Sequence, residues 1–168
     1  MNDRLLDRLA DVERRLAAHA HATVTPGALT DADQATGERW EAGQVWAHLA
    51  EFPAYWLDQI ARVLEARRSG TMDAVPFGRT KTDPGRIAAI ERARTTDRRR
   101  LMEHVAAGIS ATRVRLAALS DDEWSAGGSH PTLGEMPVSE AVERFIIGHL
   151  EEHAEQLDGL ARARRSAR

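Results

Sequence analysis

Apolar residues recur every three or four positions through most of this chain, the period of a helix that buries one face. Between residues 2 and 22, Leu5, Leu9, Val12, Leu16 and His19 stand in register, with Arg, Asp and Glu between them. A second stripe runs from about Gly43 to Ser69 through Val45, Leu49, Phe52, Trp56, Ile60 and Val63-Leu64, with His48 beside it and Pro53 inside it. A proline there lacks its N–H and crowds the carbonyl four residues back, so a bend is expected beside His48. The third stripe has Asp83 as N-cap and Pro84 at the first helical position, and reads as one helix to Leu119 with Arg94 and Asp97 on its face. The fourth opens at Pro137 and reaches about Arg164 through Val142, Phe145-Ile146, His149-Leu150, His153, Leu157 and Leu160.

The stretches between them, Thr23–Glu38, Thr71–Thr82 and Ser120–Met136, carry Gly, Pro and small polar residues and read as loops, with Trp124 an anchor in the last. No segment alternates with period two over β-branched residues. The expectation is an all-α four-helix bundle in a single domain over residues 1–168, with 164–168 a frayed tail. Loops of this length exceed what an up-down bundle needs, so one or two should cross the bundle or line a site.

Composition narrows the function. The chain has 168 residues, 42% hydrophobic and 29% charged, with a formal net charge of -3. That balance excludes binding of nucleic acid through bulk positive charge, and equally an acidic disordered chain. The first residues lead directly into an amphipathic pattern instead of a signal-peptide core, and the densest apolar run, Phe145-Ile146-Ile147, is too short to cross a bilayer. A cytoplasmic protein is expected. With no cysteine and seven histidines, any metal must be held by His, Asp or Glu, and no protein thiol can act as nucleophile. Among the basic residues lysine occurs once, as Lys81, an arginine bias typical of a GC-rich codon pool.

The pair His149 and His153 lies four residues apart on the apolar face of the fourth stripe, so both imidazoles can converge on one ion. Two core histidines held by hydrogen bonds would show the same spacing. A third ligand must come from another helix; His48 is best placed and His19 is the reserve. His21, His104 and His130 are assigned to surface, packing and loop roles. The segment His149–His153 also fits H-x-x-E-H, but only fifteen residues follow it, too few for the remainder of an inverted zinc protease. H-E-x-x-H fails because Leu150 follows His149. Glu151 and Glu152 read as solvated carboxylates or as outer partners of the ligands.

Three runs carry a family resemblance: Trp40 with Val45-Trp46-Ala47-His48-Leu49-Ala50-Glu51; His130-Pro131-Thr132-Leu133-Gly134-Glu135-Met136-Pro137-Val138; and His149-Leu150-Glu151-Glu152-His153-Ala154-Glu155-Gln156-Leu157. In order and spacing they resemble the DinB-like (DinB/YfiT) metal-binding superfamily over residues 2–160. By that resemblance His48, His149 and His153 match the metal-binding triad. The family implies a four-helix bundle, often a homodimer, and divalent-metal-dependent transfer of a thiol such as bacillithiol, mycothiol or glutathione; mycothiol-dependent maleylpyruvate isomerases are relatives. Two departures stand out. Ala42-Gly43 lies where a polar cap is usual, and the chain ends near the bundle, without the further domain of the isomerases.

The resemblance implies a transferase joining a low-molecular-weight, mycothiol-like thiol to an electrophilic small molecule. Three imidazoles leave open positions on an ion, the arrangement of catalytic zinc. Nickel, iron or manganese accept the same donors. Arg79 and Arg94 are candidates to grip anionic groups of thiol or substrate, against the plainer readings, favoured for both, of an exposed loop charge for Arg79 and a helix-surface ion pair for Arg94. Asp97 fits either orienting a ligand imidazole or a buried pair with Arg94 or Arg98. The alternatives are a metal- or ligand-binding stress protein without turnover, and a metal-dependent hydrolase.

Overall fold

Four long helices carry the core of the computed structural model, which describes residues 2–166. In chain order the elements are α1 (Asn2–His21), α2 (Ala42–Arg68), β1 (Val75–Pro76), α3 (Pro84–Ala93), α4 (Arg98–Ala117), α5 (Asp121–Trp124), β2 (Gly127–His130), β3 (Gly134–Pro137), α6 (Val138–Val142), a π turn (Glu143–Ile147) and α7 (Gly148–Ser166). α1 packs against α4 and α7, and so does α2. The two long connections, from α1 to α2 and from α4 to α6, therefore cross the bundle, as the loop lengths suggest. Leu9, Leu16, Leu49, Phe52, Ile109, Leu116 and Ile146 lie wholly inside one continuous core.

The third stripe is two helices, not one. α3 ends at Ala93, and Asp97 caps α4 by accepting from the backbone N–H groups of Arg99 at 3.0 Å and Arg100 at 3.4 Å. The carboxylate thus satisfies donors that a helix start leaves free, and it stands exposed on the surface. It orients no imidazole. The break lets the α3–α4 corner fold onto the start of α2, where a Cβ on Gly43 would stand 2.2 Å from the Arg94 carbonyl oxygen. Glycine at that point is required by the packing, while Glu41 is the N-cap and Gln44 Oε1 accepts from its N–H at 3.0 Å.

A small sheet was not foreseen. Its order is β1-β2-β3, with β1 parallel to β2 and β2 antiparallel to β3; Gly127 pairs with Pro137 and His130 with Gly134. Strands of two to four residues, rich in glycine, are too short to show alternation. The sheet ties the α2–α3 and α4–α6 connections together. α2 runs on through Pro53 without interruption, and Gly108 of α4 packs against that proline, its missing Cβ leaving 2.8 Å to Pro53 Cβ. Helix backbone continues to Ser166 in the stretch read as a frayed tail; Ala167 and Arg168 lie outside the described residues. Among the described residues no helix is long and apolar enough to cross a membrane.

Candidate metal centre

α2 and α7 face each other across the core, and each brings histidine to the seam. The Nε2 atoms of His48 and His149 lie 3.0 Å apart, and those of His149 and His153 lie 3.1 Å apart. One donor atom from each of the three falls within 4.8 Å of the others. Nitrogens bound to a single ion at about 2.0–2.1 Å, with angles of roughly 90–110°, stand about 2.9–3.4 Å from one another, so the cluster already has the spacing of a ligand set.

Each imidazole has its outward partner three residues further along its own helix. His153 Nδ1 is 2.8 Å from Gln156 Oε1. His48 Nδ1 is 3.5 Å from Glu51 Oε2, and His149 Nδ1 is 3.6 Å from Glu152 Oε2. His48 Nδ1 is buried and has no hydrogen bond in this arrangement, so the Glu51 carboxylate is its nearest acceptor. The Gln156 acceptor sets the proton at His153 Nδ1 and leaves its Nε2 free as donor to an ion. The Glu51 and Glu152 carboxylates favour the same tautomer in the other two rings from just beyond hydrogen-bond distance. Burial holds the His48 and His153 imidazoles well below their ordinary pKa, and the neighbouring rings push the same way. Neutral rings are what a metal needs.

Aromatic rings fix the site from behind. Phe52 meets His149 edge-on at 4.6 Å, and Trp40 stacks on His153 with centroids 6.0 Å apart. The π turn just before α7 adds one residue to the turn, ending where the Gly148 N–H reaches the Glu143 carbonyl. α1 holds this helix by ion pairs: Arg8 donates to Glu151 at 2.8 and 2.7 Å, and Arg15 to Asp158 at 2.9 Å. Glu151 is thus a clamp between helices, and Glu152 is the carboxylate that belongs to the site.

The cluster opens on a cavity of about 730 Å³ lined by His48, His149, Trp56, Phe145, His130, Leu133 and the cations Arg79, Lys81, Arg86 and Arg144. Trp56 and Phe145 stack at 4.3 Å, and His130 lies against Phe145 at 4.9 Å. Gly78, in the left-handed region at φ 85°, lets the connection pass; a Cβ there would stand 2.7 Å from the His130 ring. A wider concavity of about 900 Å³ lies between residues 29–35 and the outer face of α7, and none of the three histidines lines it.

The structure brings His48, His149, His153 and Arg79 to one place and leaves Arg94 out. Arg94 caps the end of α3, exposed, 3.4 Å from Glu91 and away from the cavity, because the chain turns there toward α4. His19 pairs with Asp158 at 2.8 Å and His21 is exposed. His104, expected to pack, is exposed instead, and His130 is a buried strand residue in the cavity wall, not a loop residue. Sequence reasoning missed Arg86, Phe145 as a wall residue, and Glu51. Only Glu51 had a readable signal, one helical turn beyond His48.

A bundle carrying three convergent imidazoles at the seam of two helices defines a class: a helical protein with a candidate divalent-metal site beside an apolar, cationic cavity. The chain belongs to the DinB superfamily, whose family model matches residues 2–157. Among solved structures it is similar to YfiT from Bacillus subtilis, described as a probable metal-dependent hydrolase with an unusual four-helix bundle topology (19% identity, TM-score 0.72, covering 97% of this chain and 87% of that one). It is also similar to a mycothiol-dependent maleylpyruvate isomerase at 14% identity and TM-score 0.65, covering 94% of this chain and 60% of the isomerase. An uncharacterized protein from Clostridium difficile 630 matches at 12% identity and TM-score 0.59, with 94% of each chain covered. No curated protein matches the chain in sequence.

Proposed function

We propose that the protein is a divalent-metal-dependent transferase that joins a low-molecular-weight thiol, mycothiol-like in kind, to an electrophilic small molecule. The observation that carries the reading is the convergence of His48, His149 and His153 Nε2, each ring backed by an acceptor three residues on. A bound divalent ion, zinc by default for three imidazoles, would supply Lewis acidity that favours the deprotonated form of a thiol or water. The chain itself provides the rest. The three imidazoles would hold the ion from one side, the stacked Trp56 and Phe145 rings give the cavity an apolar wall, and the absence of cysteine means the thiol must diffuse in. The sulfur electron pair forms the new C–S bond; the thiol proton is returned to the acceptor in an addition, or leaves with the departing group in a displacement. The proposal includes a homodimer, on the strength of the family resemblance, and a cytoplasmic location, as the sequence pattern suggests.

A second reading, hydrolysis, has one observation in its favour: Glu152 lines the cavity next to His149 and is a carboxylate placed to hold a water proton. One experiment separates them. Metal content is measured for the wild type and His149→Ala, and both are assayed for thiol loss against a panel of electrophiles and for hydrolysis of an ester panel. Metal bound one to one, lost in the variant, with metal-dependent thiol consumption, is the expected result. Hydrolysis without thiol consumption selects the second reading, and bound metal with neither activity leaves a binding protein. A metal-free wild type from metal-replete cells overturns the site.

A further inference from the structure

Four cations border the cavity, and three of them have a carboxylate. Arg79 donates to Glu51 at 2.6 Å, Lys81 to Asp33 at 2.5 Å, and Arg144 lies 3.8 Å from Glu140. Arg86 has none within ion-pair distance among the described residues, yet it is the most enclosed of the four, with 8% of its surface exposed. The one hydrogen bond of its guanidinium runs from Nη1 to the Lys81 carbonyl at 2.8 Å, and the guanidinium lies 5.1 Å from the Trp40 ring. Among the described residues no carboxylate touches the guanidinium; Glu38, Glu51 and Asp33 act on it only from beyond ion-pair distance, and burying a charge without a contacting counterion is costly. Arg86 borders both the main cavity and a narrow cleft lined by Trp40, His149, His153 and the carboxylates Asp31, Asp33, Glu38 and Glu152; an anion is therefore placed on the main-cavity side.

We infer that Arg86 is the oxyanion anchor of the cavity and that the small molecule bound there carries a carboxylate. A guanidinium presents paired N–H donors that match the two oxygens of a carboxylate. One unneutralised cation balances one negative charge, which favours a carboxylate over a phosphate dianion. With the anion on Arg86, the rest of the molecule lies along the stacked Trp56 and Phe145 rings, where a flat apolar body fits, and its reactive carbon falls beside His149. Burial lowers the guanidinium pKa and the Arg79 charge adds to this, while the carboxylates of Glu38, Glu51 and Asp33 push it back up. This inference deepens the reading given above and rests on the same cavity being the substrate site, but it does not depend on the metal.

The test uses the full chain as purified and three probes of similar shape: benzoate, benzamide and phenyl phosphate, followed by calorimetry or by Trp fluorescence. Benzoate should bind at least about tenfold more tightly than benzamide or phenyl phosphate. Arg86→Met should bring the benzoate-to-benzamide ratio to about one with metal content unchanged, and Arg86→Lys, which keeps the charge but not the fork, should lower it by roughly threefold or more. Equal binding of benzoate and benzamide by the wild type overturns the inference, as does a ratio unchanged in the variants. Tighter binding of phenyl phosphate overturns the carboxylate. Equal binding by the wild type overturns the inference even where a variant does not fold. The comparison is repeated after chelation, so that a benzoate preference owed to a bound ion, which would also overturn it, is separated from one owed to Arg86. A protein that holds no metal yet prefers benzoate would sink the metal reading and leave the anchor standing.

Discussion

Arg79 donates from Nη2 to Glu51 Oε2 at 2.6 Å, and that same oxygen stands 3.5 Å from His48 Nδ1. Arg79 also lies over the Tyr55 ring, 3.9 Å from its centroid, so its charge is committed to the carboxylate behind a candidate ligand. It therefore positions Glu51 toward His48. Glu51→Gln keeps the shape and removes the charge that favours Nδ1–H, and should weaken metal binding about 10- to 100-fold. Competition with a chelator of known affinity measures it. Unchanged affinity would mean that Glu51 serves only to neutralise Arg79.

Two glycines give a prediction about folding with opposite signs. Gly43→Ala places a methyl group 2.2 Å from the Arg94 backbone oxygen, so the α3–α4 corner must move away from α2. The cost should be about 1–3 kcal/mol or more. Gly159 of α7 has nothing within 4 Å of its would-be Cβ and no need of a left-handed φ. Gly159→Ala should stabilise by about 0.5–1 kcal/mol through helix propensity alone. Thermal unfolding in one buffer compares them, and a shift of the same sign in both would contradict the packing at Gly43.

The bundle and the His149–His153 pair were legible because each depends on a repeating offset, whereas His48 came from its place beside the second stripe and from the family resemblance. Leu5 to Leu16, Val45 to Leu64 and Val142 to Leu160 each keep a helical period, and His149 and His153 share a face by the same arithmetic. What the sequence hid depends on contacts between distant segments. Asp97 fits the apolar stripe by spacing, yet its short carboxylate satisfies two backbone donors better as a cap. The Gly127–His130 strand has no pattern of its own and forms only because Val75–Pro76 and Gly134–Pro137 lie beside it. Arg86 is one arginine among many in the sequence. Its place in the cavity comes from the α2–α3 connection folding over the seam.

Asp33 makes the stability of the cavity rim depend on acid. Its carboxylate accepts from Lys81 at 2.5 Å and from the backbone N–H groups of Ala35 and Thr36, each at 2.9 Å. The Lys81 hydrogen bond first, and these backbone donors after it, hold its carboxyl far below the ordinary value. A depressed carboxyl pKa contributes stability that is complete above the unfolded value of about 3.8 and is lost as the pH falls through the folded one. Asp33→Asn should therefore cost about 1 kcal/mol at neutral pH, with the gap to wild type narrowing below about pH 4. Urea unfolding of both proteins at neutral and acid pH measures the gap. A gap that widens on acidification would contradict the assignment.

His130 and His149 both line the cavity, and they should behave differently when removed. His130 packs against Phe145 with rings 4.9 Å apart and inclined by 22°, and its Nδ1 accepts from the Thr132 N–H at 3.3 Å. It is no part of the convergent set. His130→Ala leaves a hole beside the Trp56–Phe145 stack and should destabilise the protein by about 2–3 kcal/mol while metal content stays at that of the wild type. His149→Ala removes the ring whose Nε2 stands within 3.0–3.1 Å of both other nitrogens and should take bound metal from about one per chain to near zero. In the metal-free state its cost in stability should be the smaller of the two, because it removes a half-buried ring crowded against the buried imidazoles of His48 and His153. Elemental analysis and thermal unfolding of the two variants together decide the matter: loss of metal in His130→Ala with retention in His149→Ala would mean that the ligand set has been drawn around the wrong histidine.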